Sequence, residues 1–245
     1  MIAARLCLLT LLLLLASGSV ATSPPRIAII IDDLGYRLDA GQRAIGLPGP
    51  ISFAVLPGTP RARALAVHAH ESGKEVLLHL PLQATPNDNI HDPLSLNLDM
   101  NRREFGDTFE QALISVPFAI GVNSHRGSML TRHPGHMQWL LDEIQARDKL
   151  FFIDSYTTHE SVALQIAEEA GIDARKRDVF LDPDRDPETV VREFERMKRL
   201  AQKRGSIVAI GHPYAATLDL LERELPNLAG EGYELVTISE LMGSR

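Results

Sequence analysis

The sequence has 245 residues, of which 44% are hydrophobic and 23% are charged, the composition of an ordinary globular protein. Its formal net charge is −7, and no basic block is interleaved with aromatic residues, which excludes the common patterns of nucleic-acid binding. The single cysteine, Cys7, lies in an apolar N-terminal run. A disulfide framework is therefore excluded, and a metal site would have to use His, Asp or Glu.

Residues 1–21 have the features of a secretory signal peptide. Arg5 gives a positively charged start, residues 6–16 are almost wholly apolar, and residues 19–21 are small, as a signal peptidase requires. The apolar run is shorter than the ~20 residues that span a bilayer. We therefore expect cleavage after Ala21, an exported and periplasmic product with no stable membrane span, and one domain over residues 22–245.

Beyond this leader, short apolar runs alternate with segments of helical periodicity. The first run, residues 27–31, contains four isoleucines and is typical of a strand buried on both faces. The predicted strands are 27–31, 51–56, 75–80, 118–123, 150–154, 179–181, 206–210 and 234–238. The predicted helices are 36–45, 60–72, 101–113, one that begins at Pro134, 162–170, 186–203, 217–228 and a short one capped by Ser239.

Alternation of this kind, with mostly short connections, predicts parallel strands joined by right-handed crossovers. We expect seven or eight strands, and polar residues follow so many of them that a closed or nearly closed (β/α) barrel is favoured over an open sheet. Residues 81–100 form the longest stretch without periodicity and are rich in Pro, Asn and Asp. A loop of this length in a compact domain is usually functional or mobile.

Side chains that can bind a metal lie at the carboxyl ends of five of the predicted strands or shortly after them. They are Asp32 and Asp33, His79, Asn123 with His125, Asp154, and His212. Because the carboxyl ends of parallel strands meet at one mouth, we expect these side chains to lie close together. An aspartate and two histidines are a familiar ligand set for zinc or a similar divalent ion. The pattern therefore predicts a site for metal-assisted hydrolysis.

Each of these residues alone also has a purely structural explanation. The adjacent aspartates could form a turn and a helix cap, and either strand-ending histidine could be a hydrogen-bonded structural residue. The polar cluster at residues 123–128 could cap the helix that follows it. Asp154 and Asp182 could each orient a histidine, but for Asp182 the pattern favours a simple cap.

Several motifs, in this order along the chain, resemble those of the divergent polysaccharide deacetylases, a branch of the polysaccharide deacetylase superfamily of carbohydrate esterases. The motifs are Ile30-Ile31-Asp32-Asp33-Leu34-Gly35, His79-Leu80-Pro81-Leu82, Gly121-Val122-Asn123-Ser124-His125-Arg126-Gly127-Ser128, Phe152-Ile153-Asp154-Ser155, Val179-Phe180-Leu181-Asp182 and Ala209-Ile210-Gly211-His212-Pro213. The resemblance covers essentially the whole chain after the leader, and it implies a distorted (β/α) barrel with a metal at its mouth.

The resemblance also implies roles for individual residues. Asp32 corresponds to the base, Asp33 to a metal ligand, His79 to the first metal histidine and His212 to the histidine that acts as acid. The superfamily places its second metal histidine four residues after the first, where this sequence has Gln83. His125 is therefore expected to serve instead. The Arg-Pro-Tyr and Asp-Trp motifs of the superfamily, which bear on recognition of N-acetyl sugars, are not recognisable.

These observations predict that the protein is an exported hydrolase that depends on a divalent metal, with zinc expected. Its predicted reaction is the deacetylation of an acetylated polysaccharide or cell-envelope glycan. Arg126 is expected to orient Asp32 or to stabilise negative charge on the substrate. Asn123, Ser128 and Asp154 are expected to support the ligands or contact the substrate. An alternative is a catalytically silent glycan-binding or envelope-scaffolding protein, and a weaker one is a metal phosphoesterase. The oligomeric state is not predicted.

Overall fold

The structure is a computed structural model, and it describes residues 23–86, 92–147 and 149–243. The predicted signal peptide lies outside the described residues. No helix among the described residues is both long enough and apolar enough to cross a membrane.

The strands form one sheet in which every described ladder is parallel. Their bounds are β1 Arg26–Leu34, β2 Ser52–Val55, β3 Glu75–Leu82, β4 Ala119–Arg126, β5 Phe151–Asp154, β6 Ala174–Lys176, β7 Val179–Phe180, β8 Ser206–Gly211 and β9 Glu234–Val236. Eight of them follow the order β6-β5-β4-β3-β2-β1-β8-β7, and β9 pairs with the beginning of β1. This curled parallel sheet confirms the predicted barrel class.

The two ends of this strand order are close neighbours in the chain. Only Arg177 and Asp178 separate β6 from β7. The Arg177 amide donates to the carbonyl of Asp154 on β5 at 2.9 Å, whereas the Asp178 amide donates to the carbonyl of Val208 on β8 at 2.8 Å. Residues 174–180 therefore pass from the β5 edge to the β8 edge, and we name this segment the crossing segment.

The helices cover the outer face of the sheet and bury a large apolar cluster against it. Their bounds are α1 Leu38–Ile45, α2 Ala62–Glu71, α3 Arg102–Ser115, α4 Pro134–Gln145, α5 Ala163–Glu169, α6 Pro187–Arg204, α7 Ala215–Glu224 and α8 Ile238–Met242. The predicted starts of α3 and α6 are confirmed. Asn101 and Glu104 form a capping box at α3, and the Asp186 side chain accepts from the amide of Thr189 at α6.

A second apolar cluster fills the inside of the barrel. It contains the alternate residues Ala28 and Ile30 of β1 and Val208 and Ile210 of β8, together with side chains of α8. Because side chains alternate along a strand, these positions face the interior while their neighbours face the helices. Helix α8 closes the amino-terminal end of the barrel, and burial of each large aliphatic side chain there contributes about 1.5–3 kcal/mol.

Several boundaries differ from the sequence expectation, and three of these differences change how the barrel is built. Strand β6 was not predicted, because Ala174-Arg175-Lys176 lacks an apolar run. Strand β4 extends to Arg126, where a loop was expected, because its ladder with β3 continues as far as the pair Leu82 and Arg126. The predicted last strand is too long, since Thr237 caps α8 with a capping box to Glu240, and the expected cap Ser239 lies inside that helix.

Candidate metal and catalytic site

The functional side chains continue the alternation that builds the inner core. Two positions after the inward-facing Ile30 of β1 comes Asp32, and His212 follows Ile210 of β8 at the same spacing. His79 likewise follows the inward-facing Leu77. The barrel interior therefore changes from apolar to polar at the carboxyl ends of the strands, and we name this end the mouth. Asp32 and His79 are almost completely buried there.

Asp33 reaches the mouth although it is adjacent to Asp32, because the strand is irregular at this point. The register of β1 against β2 shifts between Ile31 and Leu34, and Asp33 adopts a left-handed φ of 60°. An irregularity of this kind redirects a side chain that would otherwise face the other side of the sheet. Gly35 then has a φ of 140°, and a Cβ atom there would lie 2.1 Å from the hydroxyl oxygen of Thr59. A glycine is therefore needed at position 35, one residue beyond Leu34, which follows the two aspartates.

Three predicted ligand residues meet at the mouth. Asp33 Oδ1 lies 3.1 Å from His79 Nε2 and 3.1 Å from His125 Nδ1, and the two histidine nitrogens are 3.0 Å apart. Ligand atoms on one tetrahedral zinc ion, each ~2.0–2.2 Å from it, lie roughly 3.3–3.5 Å apart. Asp33 Oδ1 is also buried without a hydrogen-bond partner among the described residues. The donor set and its spacing fit a divalent cation.

Asn123 fixes the orientation of His79 and connects it to Asp32. The Asn123 amide nitrogen donates to Asp32 Oδ1 at 2.7 Å, so the amide oxygen faces His79 Nδ1 at 2.9 Å. An amide oxygen only accepts, and His79 Nδ1 must therefore carry the proton. The lone pair of His79 Nε2 is left to point towards Asp33 and His125, as metal ligation requires.

Asp92 plays the corresponding part for His125, and it was not predicted. Its Oδ2 lies 3.5 Å from His125 Nε2 and 3.4 Å from Arg126 Nη1. With Nε2 held by a carboxylate, Nδ1 of His125 is the ring nitrogen that faces Asp33. Asp92 belongs to the long loop, whose length was the only sequence signal that drew attention to it.

His212 is held by Asp182, for which the sequence favoured a simple cap. Asp182 Oδ1 lies 2.9 Å from His212 Nδ1, while Oδ2 accepts from the His212 amide at 2.7 Å and from the Thr217 hydroxyl at 2.6 Å. The imidazole therefore presents Nε2 to the mouth, 3.7 Å from Asp33 Oδ2. Tyr214 stacks on the ring with centroids 5.3 Å apart.

The environment separates the two aspartates electrostatically. Burial raises the pKa of Asp32, and the neighbouring rings of His79 and His212 only partly oppose this effect. Burial also acts to raise the pKa of Asp33, but the imidazoles of His125 and His79, each 3.1 Å from Asp33 Oδ1, outweigh it and hold that pKa far below its usual value. Asp33 is thus held as an anion, whereas Asp32 is a buried carboxyl group whose pKa is raised.

Neighbouring carboxylates raise the pKa of His125 and His212, the two histidines at the mouth that do not contact Asn123. Burial lowers the pKa of His125, but Asp33 and Asp92 outweigh it and raise that pKa to about 9. Burial likewise opposes protonation of His212, and its contact with Asp182 reverses the effect and raises the pKa. His125 must lose a proton to bind a cation, whereas His212 is prepared to hold one.

The sequence profile of the divergent polysaccharide deacetylases matches residues 29–242, most of the chain. The protein belongs to the divergent polysaccharide deacetylase family. An uncharacterized Escherichia coli protein, YibQ, is 36% identical over 217 residues, which are 89% of this chain and 67% of that protein. An uncharacterized Haemophilus influenzae protein is 38% identical over 216 residues, 88% of this chain and 76% of the relative.

Solved structures share the fold of this family member. An uncharacterized protein from Agrobacterium tumefaciens, ATU2773, superposes with a TM-score of 0.85 at 21% identity, over 90% of each chain. The catalytic domain of a peptidoglycan N-acetylglucosamine deacetylase from Eubacterium rectale has a TM-score of 0.58 at 15% identity, over 89% of this chain and 90% of that one. A pseudoenzyme of carbohydrate esterase family 4 from Bacillus anthracis has a TM-score of 0.55 at 14% identity, over 89% and 66%.

Gln83, which stands where the resemblance to the superfamily would place a second metal histidine, has a structural task in this protein. Its side-chain oxygen accepts from the amide of Leu98 at 2.9 Å, and its amide nitrogen donates to the carbonyl of Thr85 at 3.1 Å. Its backbone amide also donates to the carbonyl of Leu96. Gln83 therefore ties down the long loop, and the third donor near Asp33 and His79 comes from the next strand.

The remaining predicted residues occupy different positions. Arg126 lines the cavity at the mouth and contacts Asp92 at 3.4 Å. Ser128 donates from its hydroxyl to the carbonyl of Ala84 at 2.9 Å. Asp154 accepts from the amide of Tyr156 at 2.8 Å and from the Ser161 hydroxyl at 2.7 Å. The structure thus places Ser128 and Asp154 in contacts that hold loops at the rim, and it brings Arg126 to the cavity.

A small cavity of about 70 Å³ lies among these groups, and Asp32, His79, His125 and His212 line it. Arg177 and Phe180 of the crossing segment also line it, and the sequence did not single out either of them. Larger cavities, of about 550 and 460 Å³, lie at the opposite end of the barrel beside residues such as Pro50 and Leu150. The potential metal ligands Asp33, His79 and His125 lie at the mouth, so we assign the chemistry to the smaller cavity.

Proposed function

We propose that this protein is a metal-dependent hydrolase that removes acetyl groups from an acetylated polysaccharide or cell-envelope glycan. The observation that carries the proposal is the set of donor atoms on Asp33, His79 and His125, with Asp32 and His212 lining the same cavity. When bound there, a divalent cation, with zinc the ion that this donor set suits, would lower the pKa of a water molecule and polarise the acyl carbonyl.

The residues of the chain divide the proton transfers between them. Asp32 accepts the proton of the attacking water, and Asn123 holds its carboxylate in place through the 2.7 Å hydrogen bond. His212 donates a proton to the leaving nitrogen or oxygen, and Asp182 keeps that imidazole oriented and protonated. Two groups with separate partners can thus act as base and acid in the same cavity.

Two further observations support this proposal. The chain belongs to a family described as divergent polysaccharide deacetylases. The barrel is also shared with the peptidoglycan N-acetylglucosamine deacetylase from Eubacterium rectale and with the peptidoglycan deacetylase PdaC from Bacillus subtilis, which has a TM-score of 0.53 at 17% identity over 90% and 91% of the chains. A glycan substrate is the chemistry that these relatives suggest.

The decisive experiment combines metal analysis with acetyl release from a panel of acetylated glycans. We expect about one metal equivalent in the parent protein. Asp33→Ala should lose both the metal and turnover, whereas Asp32→Asn should keep the metal and lose turnover. Full activity in either variant would refute the assignment, and so would a parent protein that takes up no metal after reconstitution.

A second candidate is a catalytically silent glycan-binding or envelope-scaffolding protein. The specific observation in its favour is that the same fold occurs in the Bacillus anthracis pseudoenzyme. This alternative predicts glycan binding that survives Asp32→Asn and His212→Ala without acetyl release from any variant or from the parent. Acetyl release by the parent that Asp32→Asn abolishes would exclude it.

We also propose that the protein is exported to the periplasm. The support is the sequence of residues 1–21, with a basic start, an apolar centre and small residues at 19–21. Export predicts that the mature protein begins at Thr22. Cell fractionation and N-terminal sequencing test this directly, and full-length protein found in the cytoplasm would contradict it.

A further inference from the structure

Arg177, on the crossing segment, is held rigidly beside the proposed catalytic groups. Its Nε donates to the carbonyl of Ser155 at 2.7 Å and its Nη2 to the carbonyl of Tyr156 at 3.0 Å. Its guanidinium also lies over the ring of Phe180, 4.9 Å from the centroid. Two nitrogens and one face of the group are therefore occupied, and Nη1 is the nitrogen left for another partner.

The positive charge of Arg177 is not matched by a close carboxylate. Within the described ranges, no carboxylate oxygen lies within the 4.0 Å of an ion pair, and both hydrogen-bond acceptors are neutral carbonyls. A guanidinium remains charged at any physiological pH. Holding such a charge partly buried costs free energy unless an anion offsets it. Asp32, Asp154 and Asp178 attract this charge through space but do not outweigh burial, which lowers the pKa of Arg177. An anion that contacted Nη1 directly would offset the remaining cost.

The cavity limits the size of that anion. Arg177 lines the same space of about 70 Å³ as Asp32 and His212. This space accommodates only a few water molecules, whereas sites for drug-sized ligands measure about 300–1,000 Å³. A two-carbon acid fits this space.

We propose that Arg177 forms a carboxylate-binding subsite in the mouth cavity and that this subsite holds the acid released by the reaction. The inference rests on the proposed function, because hydrolysis of an N-acetyl group consumes one water and yields an ammonium group and acetate. The acetate forms in the cavity that Arg177 lines. A guanidinium nitrogen donates strong, charge-assisted hydrogen bonds to a carboxylate. Acetate should therefore be a competitive product inhibitor.

A direct binding experiment tests the subsite without turnover. Sodium acetate is titrated calorimetrically into the full-length protein at constant ionic strength, with neutral acetamide as the uncharged isostere and glucuronate as a carboxylate on a sugar ring. We expect acetate to bind at least tenfold more tightly than either compound. Equal binding of acetate and acetamide would overturn the proposal, and so would tighter binding of glucuronate, which would indicate a sugar-acid site.

The matched variants are Arg177→Gln and Lys176→Gln. Each removes one positive charge from the crossing segment, but Lys176 is exposed and lies over Tyr156, 4.3 Å from the ring centroid, away from the cavity. Arg177→Gln should weaken acetate binding at least tenfold at unchanged metal content, and Lys176→Gln should leave it as in the parent. Equal losses of acetate binding in the two variants would mean that the effect comes from net charge alone, and this result would overturn the proposed subsite.

Arg177→Gln also removes the contacts to Ser155 and Tyr156, and that variant could fail to fold. The parent protein then decides the question. Acetate should shift the side-chain nitrogen resonances of one arginine in a ¹⁵N spectrum, and acetamide should not. If no arginine responds, the proposal is wrong. Acetate binding without acetyl release would support the subsite and refute the proposed hydrolase. Acetyl release without an arginine response would support the hydrolase and refute the subsite.

Discussion

The two ends of the barrel use the same strands for opposite purposes. At the amino-terminal end, alternate strand residues and helix α8 form an apolar plug in which Ile238 and Leu241 have no exposed surface. At the mouth, the next positions along those strands are Asp32, His79 and other buried polar groups. Asn123 contacts both Asp32 and His79, whereas Asp33 Oδ1 has no hydrogen-bond partner among the described residues. One end of the barrel therefore stabilises the fold, while the other holds polar groups where burial is costly.

Truncation of the apolar plug should give the largest loss of stability. Leu241→Ala removes a fully buried side chain and leaves a cavity, and we expect the free energy of unfolding to fall by about 2–5 kcal/mol. Urea unfolding followed by circular dichroism measures this loss. Leu38→Ala, at a position that is 39% exposed beside the mouth, is the control and should change it by no more than about 0.5 kcal/mol. Metal content should stay at the parent level in both variants.

Removal of a hydrogen-bonding side chain at the mouth should lower the metal affinity, which truncation of the apolar plug should leave unchanged. Asn123→Ala leaves His79 and Asp32 without their shared contact, and we expect metal affinity to fall about 10–100-fold. Competition with a chromogenic chelator measures this affinity. Ser128→Ala, which removes a loop contact away from the ligands, should retain it. If Asn123→Ala binds metal like the parent, the orienting role of Asn123 is wrong.

The cap of α8 tests how firmly the plug is anchored. The Thr237 hydroxyl accepts from the amide of Glu240 at 3.2 Å, and the Glu240 carboxylate accepts from the Thr237 amide at 2.8 Å. Thr237→Ala should cost about 1 kcal/mol, and Thr237→Ser should recover most of it. Thermal unfolding of the three proteins gives the comparison. Identical melting temperatures would mean that packing alone holds α8.

The smallest effect should come from a surface network that belongs to neither end. Burial acts to raise the pKa of Glu143, but contacts with Arg147 and Arg102 outweigh it and lower the pKa below its ordinary value of 4.5. A lowered carboxyl pKa gives stability that is present above the ordinary value and is lost as the pH falls through the lowered one. Glu143→Gln should therefore cost about 0.5–1 kcal/mol at pH 7, and progressively less as the pH falls below 4.5. A cost that does not decrease as the pH falls below 4.5 would contradict this explanation.

The sequence was sufficient for features that follow from strand alternation. Apolar runs predicted most strands, and polar residues at their ends predicted that Asp33, His79 and His125 would meet. Features that depend on tertiary register were not predictable. Asp92 reaches His125 from a loop without periodicity, and Asp182 meets His212 only because Leu181 pairs with Ile210 of β8.

Arg177 was missed for a related reason. It lies between two strands of three and two residues, too short for any periodicity to reveal them. Its importance comes from the crossing of the chain between β5 and β8, which no local pattern encodes. Similarly, Arg126 was assigned to a loop because the polar residues 124–126 do not resemble a strand, although their ladder with β3 makes them one.

The crossing segment also limits how wide the mouth can open. Among the described residues no ladder joins β6 to β7, so the perimeter of the barrel is completed there by the covalent chain itself. Lys176 pairs with Asp154 on one side and Val179 with Ala209 on the other, and the chain between these pairs can extend by at most ~3.3–3.6 Å per residue. The length of this chain therefore sets an upper limit on the distance between the edges that carry Asp154 and His212. Two edges joined only by hydrogen bonds could separate and would have no such limit.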